Sequence, residues 1–202
     1  RMTAQNKRKT PSISRLSRVL IICEGYEEYD YLTALCNLNV WSGKLEITIK
    51  NARSLDNIAG QYQYEFANGN YDFMMVFCDT EVPPYKQFNL LLTKVSSITG
   101  KNKVFKHVCF ANPCTMQIIL SHFKRVSLES NQKDVNSTLI QKLTGVYAYR
   151  AHALQRAKIA ALITKENYFF MKQNITSLET NYTVKPSTNA LYFFNKLESG
   201  KV

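Results

Sequence analysis

Several of the most recognisable sites are missing from this sequence. It has no P-loop, no dinucleotide-binding fingerprint and no Ser-His-Asp arrangement, so those ATP, NAD and hydrolase chemistries lose their usual scaffolds. Its five Cys (Cys23, Cys36, Cys78, Cys109 and Cys114) form no Cys-x-x-Cys pair and lie in or beside apolar runs. An odd count at such spacings argues against a disulfide framework and a structural zinc site, and fits buried thiols in a reducing compartment. No apolar run is long enough to span a bilayer. The basic N-terminus leads into only a short apolar run and then Glu24, with no small-residue cleavage site, so it does not read as a signal peptide. A cytoplasmic protein without a membrane partner is expected. Internal repeats and low-complexity segments are also absent.

Acids are scarce as well: 15 Asp and Glu stand against 26 Lys and Arg, a formal net charge of +11. A field of that sign favours polyanions, because neutralising phosphates releases condensed counterions. Solubility is the plainer explanation of the same excess. With 45% hydrophobic and 20% charged residues over 202 positions, the chain can fill one domain, or a core domain with a small helical appendage.

Residues 1–17 carry Arg1, Lys7, Arg8, Lys9 and Arg15 and no acid, and read as a flexible basic arm. From there an α/β pattern begins. Val19–Cys23 and Phe73–Cys78 are continuous apolar runs of buried-strand length, and Leu45–Ile49 alternates with period two. A further strand is expected over Val104–Phe110. Helical spacing covers Tyr29–Leu38, a helix capped by Ser54 that Asn68-Gly69-Asn70 breaks, Phe88–Ile98, and Thr115–Lys124. Strands alternating with helices imply parallel pairing through right-handed crossovers. After residue 125 the strand signal fades. Residues 126–136 read as a polar loop, and Ser137–Leu143, Ala151–Thr164 and Ser187–Leu197 as helices. The expected organisation is an α/β core over 18–125 and a helical C-terminal region over 126–202 packed on it.

In an open parallel sheet, ligands gather at the carboxyl ends of the strands. Glu24 directly follows the first apolar strand, and Asp79-Thr80-Glu81 the second. If those strands are neighbours, their carboxylates converge, and converging carboxylates raise one another's pKa unless a cation neutralises them. Oxygen-only ligands suit Mg²⁺ or Mn²⁺. Gly25 removes side-chain bulk where a phosphate would approach, and Glu28 falls one helical turn beyond Glu24. A lone acid after a strand is more often a turn residue or helix cap. Acids at both strand ends, one as an Asp-x-Glu pair, favour a site.

These segments resemble a known family. Val19 to Leu32, with its apolar strand and Cys23-Glu24-Gly25, is similar to the opening of the RloB-like family. Tyr71 to Glu81 resembles its second motif, an apolar strand ending in Asp-x-Asp. Asn112-Pro113-Cys114 through His122-Phe123 resembles its Asn-Pro-Cys…His-Phe block, and Lys185-Pro186-Ser187-Thr188 its Pro-Ser-Thr segment. The resemblance implies a TOPRIM-type, Rossmann-like sheet, mostly parallel and flanked by helices. It also implies a Mg²⁺-dependent nuclease that hydrolyses DNA or RNA in anti-phage defence by abortive infection, with an ABC-type ATPase as partner. Glu24, Asp79 and Glu81 would then be the catalytic, metal-binding acids, with Glu28 an accessory ligand. Two departures stand out: Glu81 replaces an Asp, and Met116 occupies the position of a family Glu. Met116 favours the alternative of a degenerate TOPRIM binding or regulatory subunit; the intact Glu24 and Asp79 favour the enzyme.

His122, Arg150, Arg156 and Lys158 are the candidate phosphate or nucleic-acid contacts. Tyr147 and Tyr149 beside the basic stretch would suit base stacking. The opposing reading is a helix-terminal structural His and a solvated basic surface. A homo-oligomer stays open.

Overall fold

The computed structural model describes residues 15–202. The expected basic arm lies outside the described residues except for its last three, and Ser17 already opens the first strand. The elements are β1 (Ser17–Cys23), α1 (Tyr26–Asn37), β2 (Leu45–Asn51), α2 (Leu55–Asn68), β3 (Phe73–Asp79), α3 (Lys86–Thr99), a 3-10 helix over Lys101–Lys106, and β4 (Val108–Asn112). They continue with α4 (Met116–Leu120), α5 (Lys133–Thr144), α6 (Ala153–Ala161), α7 (Lys165–Ile175), β5 (Ser187–Thr188) and α8 (Ala190–Ser199). The five strands form one sheet in the order β2-β1-β3-β4-β5, parallel except for β5, which runs antiparallel to β4.

The apolar runs are explained by helices on both faces of the sheet. Along β3, Phe73, Met75 and Phe77 enter one core with Tyr31 and Leu35 of α1 and Phe193 and Phe194 of α8. Met74, Val76 and Cys78 point the other way, toward Ile58 and Tyr62 of α2 and Phe88 and Leu91 of α3. A strand buried on both faces has no place for alternating polar residues. Each such side chain contributes about 1.5–3 kcal/mol on burial. Ile140, Ile159, Tyr168 and Met171 of α5, α6 and α7 join the α1-side core, so the C-terminal helices share the sheet's own hydrophobic interior. Among the described residues, no helix is long and apolar enough to cross a membrane.

The topology also makes a crevice. From β1 the chain passes through α1 to β2 on one side, then through α2, on the opposite face, back across β1 to β3. The winding direction reverses between β1 and β3. At such a reversal the flanking helices diverge and leave a cleft at the carboxyl ends of the two strands.

Four sequence expectations need correction. Val104–Phe110 is not one strand. Residues 101–106 coil as a 3-10 helix with only Val104 buried, and β4 begins at Val108. The helix expected over Thr115–Lys124 stops at Leu120, because Ser121, His122 and Phe123 donate to carbonyls three residues back and tighten the turn. The segment Ser187–Leu197 is not all helix. Ser187 and Thr188 pair with β4, and Asn189 extends that edge with its side chain, accepting from Phe110 N–H at 2.9 Å and donating to the Val108 carbonyl at 2.9 Å. Helix α7 went unforeseen, although Thr164 and Asn167 form a capping box at its start.

Asn112 ends β4 with its side chain fully buried. Its Nδ2 donates to the carbonyls of Tyr182 at 2.7 Å and Val184 at 3.0 Å, tying the C-terminal segment to the sheet. Asn112→Ala strips the Tyr182 carbonyl of this donor, which costs about 1–3 kcal/mol for a buried group left unsatisfied, whereas the Val184 carbonyl keeps the Ser187 hydroxyl at 2.6 Å. A urea titration is expected to show a clearly lowered midpoint with an unchanged slope; an unmoved midpoint refutes the tie.

Candidate functional site

Glu24 and Asp79 stand at the crevice, on adjacent parallel strands in which Cys23 is registered with Phe77. The Glu24 carboxylate reaches across to accept the Asp79 N–H through Oε2 at 3.0 Å. Asp79 Oδ1 in turn accepts from Thr115, from the N–H at 2.6 Å and the hydroxyl at 2.8 Å. The segment after β4 therefore orients the acid that ends β3.

Glu28 enters the same site from the first turn of α1. Its Oε2 accepts the Gly25 N–H at 3.0 Å, which satisfies one free donor of the helix start and aims the carboxylate back at the strand ends. A Cβ at residue 25 would stand 3.2 Å from that same oxygen, so glycine keeps the carboxylate from being displaced. Beside it Glu27 accepts from Lys133 Nζ at 3.2 Å and from the Tyr149 hydroxyl at 2.6 Å, both contributed by the C-terminal region. An open cleft of about 330 Å³ joins Glu24, Glu28, Asp79, Arg53, Lys133 and Arg156 along its walls.

Burial, then the charge of Glu28, pushes Glu24 up to about 8. Glu28 is raised by burial and by Glu27, and Asp79 by burial and by the charges of Glu28 and Glu24. Without a cation Glu24 therefore holds its proton near neutral pH, and Glu28 and Asp79 are shifted in the same direction. Lys133 pulls weakly the other way on Glu24 and Glu28. Strained backbone accumulates here too: Arg53 (φ 69°) and Ala151 (φ 59°) line the cleft in the left-handed region, and Glu81 (φ 60°) lies beside it. Each such residue costs about 1–3 kcal/mol, and they gather where the surrounding structure over-determines a site.

The expected residues divide. Glu24, Asp79 and Glu28 come together, and Glu28, expected only as an accessory, is the most buried of them, at 5% exposure. Glu81, on left-handed backbone, does not line the cleft, though its charge is felt at Glu24. Arg156 lines the cleft and pairs with Asp30 at 2.6 Å. Arg150 pairs with Asp134 on the surface, and Lys158 is exposed on α6 outside the cleft. The phosphate role expected for His122 is corrected outright. Its ring is 1% exposed, shares a hydrogen bond with the Tyr31 hydroxyl at 3.0 Å and another with Asn167 Oδ1 at 2.9 Å, and burial lowers its pKa to about 4. It is a neutral core residue. Met116 is buried in the α1-side core, and Gln117 next to it is fully buried, bonded to the main chain of Val126 and Leu128. Sequence reading missed Arg53, Thr115, Lys133 and Tyr26. Thr115 alone carried a signal, directly after the Asn-Pro-Cys motif.

The donor set fits a hard divalent cation in chemistry: oxygen only, and mutually repelling until compensated. Among the described residues no group of three or more His, Cys, Asp or Glu side chains forms a ready-made metal cage. Mg²⁺ does not require one, since it commonly keeps several waters and binds through one or two carboxylates plus substrate phosphate. Comparison of the chain with protein-family models, curated proteins and solved structures finds no match.

Proposed function

We propose that the chain is a Mg²⁺- or Mn²⁺-dependent nuclease of the TOPRIM type, hydrolysing nucleic-acid phosphodiester bonds in anti-phage defence. The observation that carries this reading is the set of mutually destabilised carboxyls, Glu24, Glu28 and Asp79, at the reversal point of a mostly parallel sheet. A divalent cation, when bound, neutralises charge on the phosphate and lowers the pKa of water. Glu24 and Asp79 would hold it, each with one oxygen already fixed by a main-chain N–H. Glu28 adds negative charge behind them, and Lys133 offsets part of it while leaning on Glu27. The defence setting and an ABC-type ATPase partner come from the resemblance to the RloB-like family.

The test is cleavage of single-stranded DNA, duplex DNA and tRNA by the purified chain with Mg²⁺, Mn²⁺ or EDTA. Metal-dependent products that EDTA suppresses are expected from at least one substrate. No product from any of them overturns the nuclease. It would leave the second reading, a subunit that keeps the sheet but lacks chemistry.

A further inference from the structure

Two features of the cleft are not used by the carboxylate chemistry. Tyr26, the first residue of α1, lines the cleft two positions after Glu24 yet is 54% exposed. Its ring carries the Arg156 guanidinium 5.3 Å from the centroid, and Arg156 is itself held by Asp30. A large aromatic surface is thus braced at the lip of the cleft without being buried. The second feature is Arg53. Lys133 and Arg156 are each committed to an acid, whereas Arg53, among the described residues, has no carboxylate partner. Its backbone sits at φ 69°, and its N–H donates to Asn51 Oδ1 at 2.7 Å, fixing the turn that presents it.

We infer that the cleft takes an unpaired nucleic-acid strand, with a base stacked on Tyr26 and a backbone phosphate on Arg53. The inference rests on the nuclease reading of the same cleft and names its substrate class. Stacking on an aromatic side chain needs an exposed base face, which a paired and stacked duplex does not offer, whereas every unpaired base does. A cation free of acid partners contributes its full charge to a phosphate and releases a counterion on doing so. Seated this way, the strand runs past Glu24, two residues from its stacking platform.

The experiment is fluorescence anisotropy of a labelled mixed-sequence 12-nucleotide single strand, and of the same sequence as duplex, titrated with the chain in EDTA so that no cleavage intervenes. Wild type is expected to favour the single strand. Tyr26→Ala is expected to weaken that binding by about tenfold to a hundredfold, the range for loss of one stacked base, while Tyr26→Phe stays close to wild type. Arg53→Ala should flatten the slope of log affinity against log salt by about 0.7, the value for one phosphate contact on a single strand. Lys165→Ala, an exposed cation on α7 that does not line the cleft, should change neither affinity nor slope beyond the error. Unchanged melting temperatures separate these effects from unfolding. A Tyr26→Ala protein that binds like wild type, or a duplex bound as tightly as the single strand, overturns the inference even where cleavage is observed. Absence of both binding and cleavage in wild type removes the nuclease reading itself, and this inference with it.

Discussion

Asp79→Asn is expected to abolish metal-dependent cleavage, a fall of ~10³-fold or more, since a metal site supplies several kcal/mol of transition-state stabilisation and each 1.36 kcal/mol is tenfold. The fold should survive. Asn offers an Oδ1 that can still accept the Thr115 N–H and hydroxyl, so the turn after β4 keeps its anchor. Without metal the variant should melt at the same temperature as wild type or slightly higher, because burial and the charges of Glu28 and Glu24 already disfavour an ionised Asp79 and the amide removes that repulsion. Mg²⁺ should separate the two proteins. A cation bound only by the folded state stabilises wild type by about 2.7 kcal/mol at a hundred times its Kd. The variant, short of one ligand, should respond far less. Thermal melts of both proteins, with and without Mg²⁺, read this directly. Equal metal responses would show that Asp79 holds no cation, whatever the cleavage assay gives.

How much of this could be read from the sequence depended on how local the signal was. The runs Val19–Cys23 and Phe73–Cys78 announce strands buried on both faces because no polar residue interrupts them, and such strands place Glu24 and Asp79 at the carboxyl ends without further assumption. Their adjacency could not be read: it follows from α1 and α2 crossing on opposite faces, a property of the whole sheet. Glu28 was under-weighted because acids in a first helical turn are favoured by the helix dipole anyway, and only the Gly25 contact distinguishes it. Spacing in Asp-x-Glu says nothing of the left-handed backbone at Glu81, which stays out of the cleft lining while Asp79 enters it. Lys133 and Tyr149 come from more than 100 residues downstream to meet Glu27, with no periodicity linking them to it. Helix α7 was obscured by Phe169 and Phe170, whose exposure breaks the apolar stripe formed by Tyr168, Met171 and Ile175.

In the metal-free chain, stability should fall as pH rises from 6.5 to about 8, opposite to the trend for carboxylates held in ion pairs. Burial and the Glu28 charge lift Glu24 from 4.5 to about 8, and Glu28 and Asp79 are lifted too. Between those limits Glu24 in the folded state keeps a proton that the unfolded chain has released, and Glu28 and Asp79 act in the same sense. Stability therefore declines with pH, by ~1.4 kcal/mol per pH unit for each carboxyl still protonated. Histidine works against this at lower pH. His122, lowered from 6.5 to about 4 by burial, leaves the folded state with fewer protons than the unfolded one over that interval, so its contribution rises with pH until about 6.5. His107, also lowered, acts in the same sense. Above 6.5 the unfolded imidazoles lose their remaining protons, so this opposing contribution fades within about one pH unit and the carboxyls then act alone. Urea midpoints in EDTA at pH 6.5, 7.25 and 8 are expected to decrease steadily. Saturating Mg²⁺ should flatten the series, because carboxylates facing a cation are ionised in the folded state as well. Glu28→Gln should shrink the decline in EDTA, because burial alone, without the Glu28 charge, lifts Glu24 less. A flat series in EDTA would mean that Glu24, Glu28 and Asp79 ionise normally, and the repulsion that calls for a cation would be gone.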